Sequence, residues 1–82
     1  MNKLTKRDAA KVMAVKYVLD YNTFHKSDRL KHDLLEINVM YNGDKEYEQL
    51  FSKYCKELSE CGRGEKPLWA RQIMAERYSL NV

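Results

Sequence analysis

Two cysteines, Cys55 and Cys61, and two histidines, His25 and His32, are the side chains best suited to metal or nucleophile chemistry. Zinc sites pair such ligands a few residues apart, so that one turn aims both at one ion. Cys55 and Cys61 are six residues apart, which in a helix places them about 240° apart around the axis. They diverge too far to share a metal. No basic group is obviously placed to lower either thiol's pKa, so redox sensing has no support. A catalytic histidine needs a nucleophile and an orienting acid converging on it. Asp28 and Asp33 lie near the histidines in sequence, but among many other charges, and both imidazoles read as surface groups flanking a helix start. Gly62 and Gly64 are followed by Glu65-Lys66-Pro67 and not by Gly-Lys-Ser/Thr, so no phosphate loop is present. The sequence reads as non-enzymatic, with no metal and no cofactor.

Composition narrows the setting. The 82 residues carry a net charge of +3 and are 44% hydrophobic, too apolar for a disordered charged tail. One domain, residues 1–82, accounts for the whole length. Its core is thin, because a chain this small buries only about 60–65% of its unfolded surface. Three Gly and one Pro argue against a turn-rich all-β fold. The longest uninterrupted apolar run, Val12-Met13-Ala14-Val15, is far too short to span a membrane. Lys3, Lys6 and Arg7 imitate the start of a signal peptide, but Lys11 and Lys16 interrupt the apolar stretch beyond them. Two cysteines are too few for a secreted disulfide scaffold. The expectation is a soluble, reduced, cytoplasmic protein, complete as it stands.

The elements expected are three to four short helices in an all-α domain. Thr5 with Asp8 opens the first, which runs to about Tyr21 with Asn22 as its stop. Val12, Val15 and Leu19 form one apolar strip of this helix. Ala10, Met13, Ala14, Tyr17 and Tyr21 form another, with lysines between. A helix apolar on two sides is packed from two sides: it is central in the fold, or one strip faces a partner. Ser27 is the N-cap expected for a second helix, in which Leu30, Leu34, Ile37 and Tyr41 recur at helical spacing. Residues 37–41 also fit a strand ahead of an Asn42-Gly43 hairpin turn, but the residues beyond that turn make no matching strand, so helix is preferred. Asp44 caps a third helix, with Tyr47, Leu50, Phe51, Tyr54, Leu58 and Cys61 on one face and Gly62 as its stop. Pro67 starts a last helix that turns Trp69, Ala70, Ile73, Met74 and Leu80 inward. The core predicted from this reading is Leu30, Leu34, Ile37, Leu50, Phe51, Tyr54, Leu58, Trp69 and Ile73.

Six tyrosines and Trp69 are the compositional signal with most bearing on function, because these residues bury area while keeping a polar tip satisfied. Tyr47, Tyr54 and Trp69 read as core. Tyr17 and Tyr21, with Met13, read as anchors of a surface that meets a protein partner or a second copy of the chain. Lys6, Arg7 and Lys11 would steer an acidic partner towards it. The chain's ends are basic and its middle acidic, so either pole can guide an encounter. The competing reading is a helix-turn-helix-like DNA- or RNA-binding regulator, with Arg71, Gln72 and Arg77 of the last helix reading bases. An acidic preceding helix, a long connection and a charge of only +3 weigh against it.

The opening MNKLTKRDAAKVMAVKYVLDYN, in a short helical chain rich in Lys, Asn and Tyr, resembles the small accessory proteins of T4-like bacteriophages. In length and cysteine-poor character the chain is similar to their rIII-type lysis-inhibition proteins. The resemblance implies a cytoplasmic antiholin in the host cell, binding the cytoplasmic part of the holin and delaying lysis. It assigns no binding residues. The function expected is regulation by protein–protein contact, a helical face covering a surface that the partner needs.

Overall fold

The computed structural model describes residues 4–19, 28–61 and 66–79. Among them every regular element is helical: α1 (Lys6–Leu19), α2 (Asp28–Tyr41), α3 (Lys45–Glu60) and α4 (Leu68–Gln72), the last continuing into a π-helical segment, Ile73–Arg77. Residues 37–41 are helix, as preferred from their spacing. Four expectations, the Asn22 stop, the Ser27 cap, the Gly62 stop and the inward Leu80, lie outside the described residues, as do Tyr21 and His25.

The first helix opens as its sequence suggests. The Asp8 amide donates to Thr5 Oγ1 at 3.1 Å, satisfying one of the amides that a helix start leaves without a partner. Its interior is the centre of the molecule. Ala9, Ala10, Val12, Met13, Ala14 and Val15 are all buried, so residues of both apolar strips lie inside one chain, while Tyr17 of the second strip stays exposed. The largest packing surface of α1 is with α3, and it also touches α2 and α4. Three alanines here with no exposed surface let neighbouring backbones approach closely, where a larger side chain would overpack the site.

The turn between α2 and α3 is built by three residues. Gly43 has φ +81 with open space around its missing Cβ, so the left-handed backbone alone demands glycine there. Asp44 comes next in extended conformation, and its Oδ1 accepts from the Tyr47 amide at 3.0 Å. Its other oxygen, Oδ2, lies 2.9 Å from Lys6 Nζ, tying this turn to the start of α1. A second tie comes from the end of α2, where the Tyr41 hydroxyl donates to the Leu4 carbonyl at 3.0 Å.

The core departs from the expected set in one direction. Leu30, Ile37, Tyr54 and Leu58 are buried as predicted, while Leu34, Leu50, Phe51, Trp69 and Ile73 are packed against the core but only half-buried. The α1 residues take the places at the centre. Ala70, Met74 and Tyr78 fill the C-terminal side. The last helix is shorter and less regular than expected. The Pro67 carbonyl accepts from Ala70 and Arg71, α4 covers five residues, and the chain then widens into the π-helical turn, which is followed by Tyr78 and by Ser79 with φ 54.

Candidate interaction surface

Four aromatic rings form a row across three helices. Tyr41, at the end of α2, stacks on Tyr47 of α3 with centroids 5.4 Å apart and planes within 10°. Tyr47 continues to Phe51 one turn later, at 6.4 Å and 13°. Phe51 and Tyr17 from α1 meet edge to face at 5.8 Å and 78°. The i, i+4 spacing of Tyr47 and Phe51 aligns their rings on α3, and the α1–α3 packing brings Tyr17 to the end of the row. Burial pushes the Tyr47 hydroxyl up to about 12, with Tyr17 and Cys55 nearby adding to the rise. The interior rings are half-buried, but Tyr17 is 63% exposed. Lys16 Nζ sits 4.5 Å from the Tyr17 centroid, a cation–π contact worth about 0.5–1 kcal/mol at an exposed site.

Of the residues expected to bind a partner, Tyr17 is therefore on the surface and held by a neighbour. Met13 is not: it is only 6% exposed, because α1 is packed on its second strip by this chain itself. That packing covers Ala10, Met13 and Ala14 of the second strip without a partner or a second copy and leaves Tyr17 as its exposed member. Lys6 is engaged with Asp44 and, at 3.9 Å, Glu46. The Asp44 hydrogen bond outweighs partial burial and raises the Lys6 pKa. Lys11 lies within 6 Å of the Tyr54 and Trp69 rings and pairs loosely with Asp8. Arg7 is exposed.

The three residues proposed to read bases are not brought together as a reading face. Arg71 and Gln72 are exposed on α4, whereas Arg77 turns into the protein. Its Nε and Nη2 donate to the two oxygens of Asp33 at 2.8 and 3.2 Å. The Tyr78 hydroxyl donates to Asp33 Oδ2 at 2.8 Å. Asp33 is 1% exposed, the one buried charged residue among those described. Burial alone would raise its pKa, but the hydrogen bonds from Arg77 and Tyr78 and the charges of Arg77 and Arg29 hold it below the ordinary carboxylate value. The spacing had a signal for this. Asp33 falls between Leu30 and Ile37 at i, i+3 and i+7, which is core spacing for a charged residue.

Cys55 and Cys61 are both free thiols, and burial pushes the Cys55 thiol up, away from thiolate reactivity. His32, Asp33 and Glu36 bring ligand atoms within 4.8 Å of one another, but both Asp33 oxygens are already taken by Arg77 and Tyr78. One surface escaped the sequence reading. Leu35 and Val39, at i and i+4 on the solvent side of α2, are 69% and 83% exposed. The helical repeat Leu30, Leu34, Ile37 and Tyr41 drew attention to the opposite face. No helix among the described residues is long and apolar enough to cross a membrane. Comparison with protein-family models, with curated proteins and with solved structures finds no match for this chain.

Proposed function

We propose that the protein is a non-enzymatic regulator that binds another protein through the aromatic row, with Tyr17 as the anchor. The observation that carries this reading is the placement of Tyr17. It is 63% exposed while Phe51 packs against its ring at a steep angle and Lys16 lies over it. A large aromatic held in place before binding loses little conformational freedom on association, which is the character of an interface hot spot. Of Lys6, Arg7 and Lys11, Arg7 is the one exposed near the start of the same helix and can steer an acidic partner. The resemblance to phage lysis-inhibition proteins implies, as that partner, the cytoplasmic segment of a holin. Binding there would act by occupancy, delaying lysis from the host cytoplasm.

The test is a titration of a labelled peptide of the holin cytoplasmic segment with the protein and with Tyr17→Ala. The expected result is saturable binding that Tyr17→Ala weakens by about tenfold or more, with helical circular dichroism unchanged. Equal binding by both proteins, or none by either, overturns the reading. The base-reading alternative retains only Arg71 and Gln72 as exposed members of its set. Its own signature is affinity for duplex DNA or RNA that falls steeply with salt.

A further inference from the structure

A cleft of about 230 Å³ separates α1 from the C-terminal segment, on a different set of residues from the aromatic row. Its α1 wall carries Asp8 and Lys11, one helical turn apart. The opposite wall carries Gln72, Glu76 and Arg77, and Ile73 and Trp69 give it apolar surface. Three other depressions among the described residues are each lined along one helix, two along α3 and its C-terminal cap and one along α2. This one is formed between elements distant in sequence, which is where helical proteins build ligand sites.

The charges of the cleft are sorted by depth. The two cations are recessed. The Lys11 side chain is 20% exposed and lies 5.9 Å from the Trp69 centroid. Arg77 is 18% exposed and uses Nε and Nη2 on Asp33, which leaves Nη1 outside that clasp. The carboxylates are nearer to water, with Asp8 48% exposed and Glu76 exposed. Lys11 and Asp8 stand 4.0 Å apart, a loose pair that a ligand can enter between. We propose that this cleft binds a small zwitterion of the α-amino-acid type with an apolar side chain. Its carboxylate lies on Lys11 and Arg77, its ammonium on Asp8 and Glu76, and its side chain against Ile73 and Trp69. The volume is below the range of drug-sized ligands and suits a molecule of this size.

Trp69 is the only tryptophan of the chain, so its emission reports on the cleft directly. The probe is L-leucine, titrated into the full chain and compared with N-acetyl-L-leucine, which lacks the ammonium, and L-leucinamide, which lacks the carboxylate. The expected result is a saturable change in emission with millimolar affinity for L-leucine, weakened about tenfold or more for each analogue, since each loses a charge-assisted contact. Lys11→Met and Glu76→Gln weaken L-leucine binding likewise. Glu76 is exposed, so its variant keeps the test intact if loss of Lys11 disturbs packing on Trp69. No saturation up to about 50 mM L-leucine, well past millimolar affinity, overturns the proposal. So does an equal response to all three compounds, or unchanged binding by Glu76→Gln.

Discussion

Tyr78 and Arg77, neighbours in sequence, donate to the same oxygen of Asp33, each at 2.8 Å. Consecutive residues on an ordinary α-helix point in directions about 100° apart. The π-helical turn ending at Arg77 has a wider hydrogen-bond ring, which alters that spacing as the chain reaches the pair. The clasp joins α2 to the end of the described chain across 44 residues. It supplies three hydrogen bonds to a carboxylate whose side chain is only 2% exposed.

Removing one donor from this clasp has a measurable cost. Tyr78→Phe keeps the buried ring and deletes the hydroxyl. A hydrogen bond to a charged group contributes about 1.5–3 kcal/mol, and the Asp33 oxygen keeps Arg77 as a partner. The expected loss is about 1–2 kcal/mol, or roughly 4–16 °C in melting temperature for a domain of this size. Asp33→Ala costs more, because it strands a guanidinium that is only 18% exposed. The expectation is about 3 kcal/mol, the lower end for breaking a buried pair, since Arg77 retains some contact with water. Urea unfolding of the three proteins checks the order. If Tyr78→Phe is as stable as the parent, the hydroxyl bond contributes nothing net.

The same clasp sets how stability varies at acid pH. Asp33 is held below its ordinary value of 3.8, with the Arg77 and Tyr78 hydrogen bonds overcoming the opposing effect of burial. Asp44 is also held below 3.8, chiefly by its hydrogen bond from Lys6. In this range the unfolded chain binds more protons than the folded one, so both groups contribute stability that is present above 3.8. It drains away as the pH falls through their lowered folded values. A melting series from about pH 6 to about pH 2 is expected to show a steep decline below 3.8. Asp33→Asn flattens that decline in part, and Asp44 contributes to what remains.

At alkaline pH the sign reverses. Tyr78 is raised above 10.0, first by burial and then by Asp33. Lys6 is raised above 10.5, chiefly by its hydrogen bond to Asp44. Both contributions are complete below those ordinary values and are lost as the pH climbs through the raised ones. Melting temperature is therefore expected to fall above about pH 10, with Tyr78→Phe falling less than the parent. An identical alkaline decline in both proteins would show that Tyr78 is not the group responsible.

Much of the architecture was legible because local chemistry agreed with it. Thr5 and Asp44 announce helix starts through side chains that accept amides three residues on. Gly43, with its left-handed backbone, marks the turn between α2 and α3. The centre of the fold was harder to read. The two-sided pattern of α1 was visible, but periodicity cannot say whether the second face meets this chain or another one. Met13, buried within this chain, fell on the wrong side of that choice. Arg77 looked like a free cation because its partner lies 44 residues away. Only the tertiary arrangement shows that Asp33, at core spacing on α2, needs it. The aromatic row was half legible: Tyr17 stood out by its place on the second strip and Tyr47 and Phe51 share one face of α3, while the contacts of Tyr41 with Tyr47 and of Tyr17 with Phe51 depend on how the helices meet.

The two faces of α2 give a last contrast. Ile37 is 1% exposed and Val39, two residues on, is 83% exposed. Truncating Ile37 removes buried methylenes and leaves a space that the thin core closes poorly, so Ile37→Ala is expected to cost about 2–5 kcal/mol. Leu35→Lys with Val39→Lys alters the solvent side of the same helix, where surface changes stay within about 0.5 kcal/mol each. Lysine also has a higher helix propensity than valine, which offsets part of any lost contact. The double variant is therefore expected to unfold at nearly the parent's urea midpoint and to be more soluble at high concentration. A loss approaching that of Ile37→Ala would mean that Leu35 and Val39 are covered in solution, for instance by a second copy of the chain. Sedimentation of the parent protein over a range of concentrations would then show self-association that the double variant lacks.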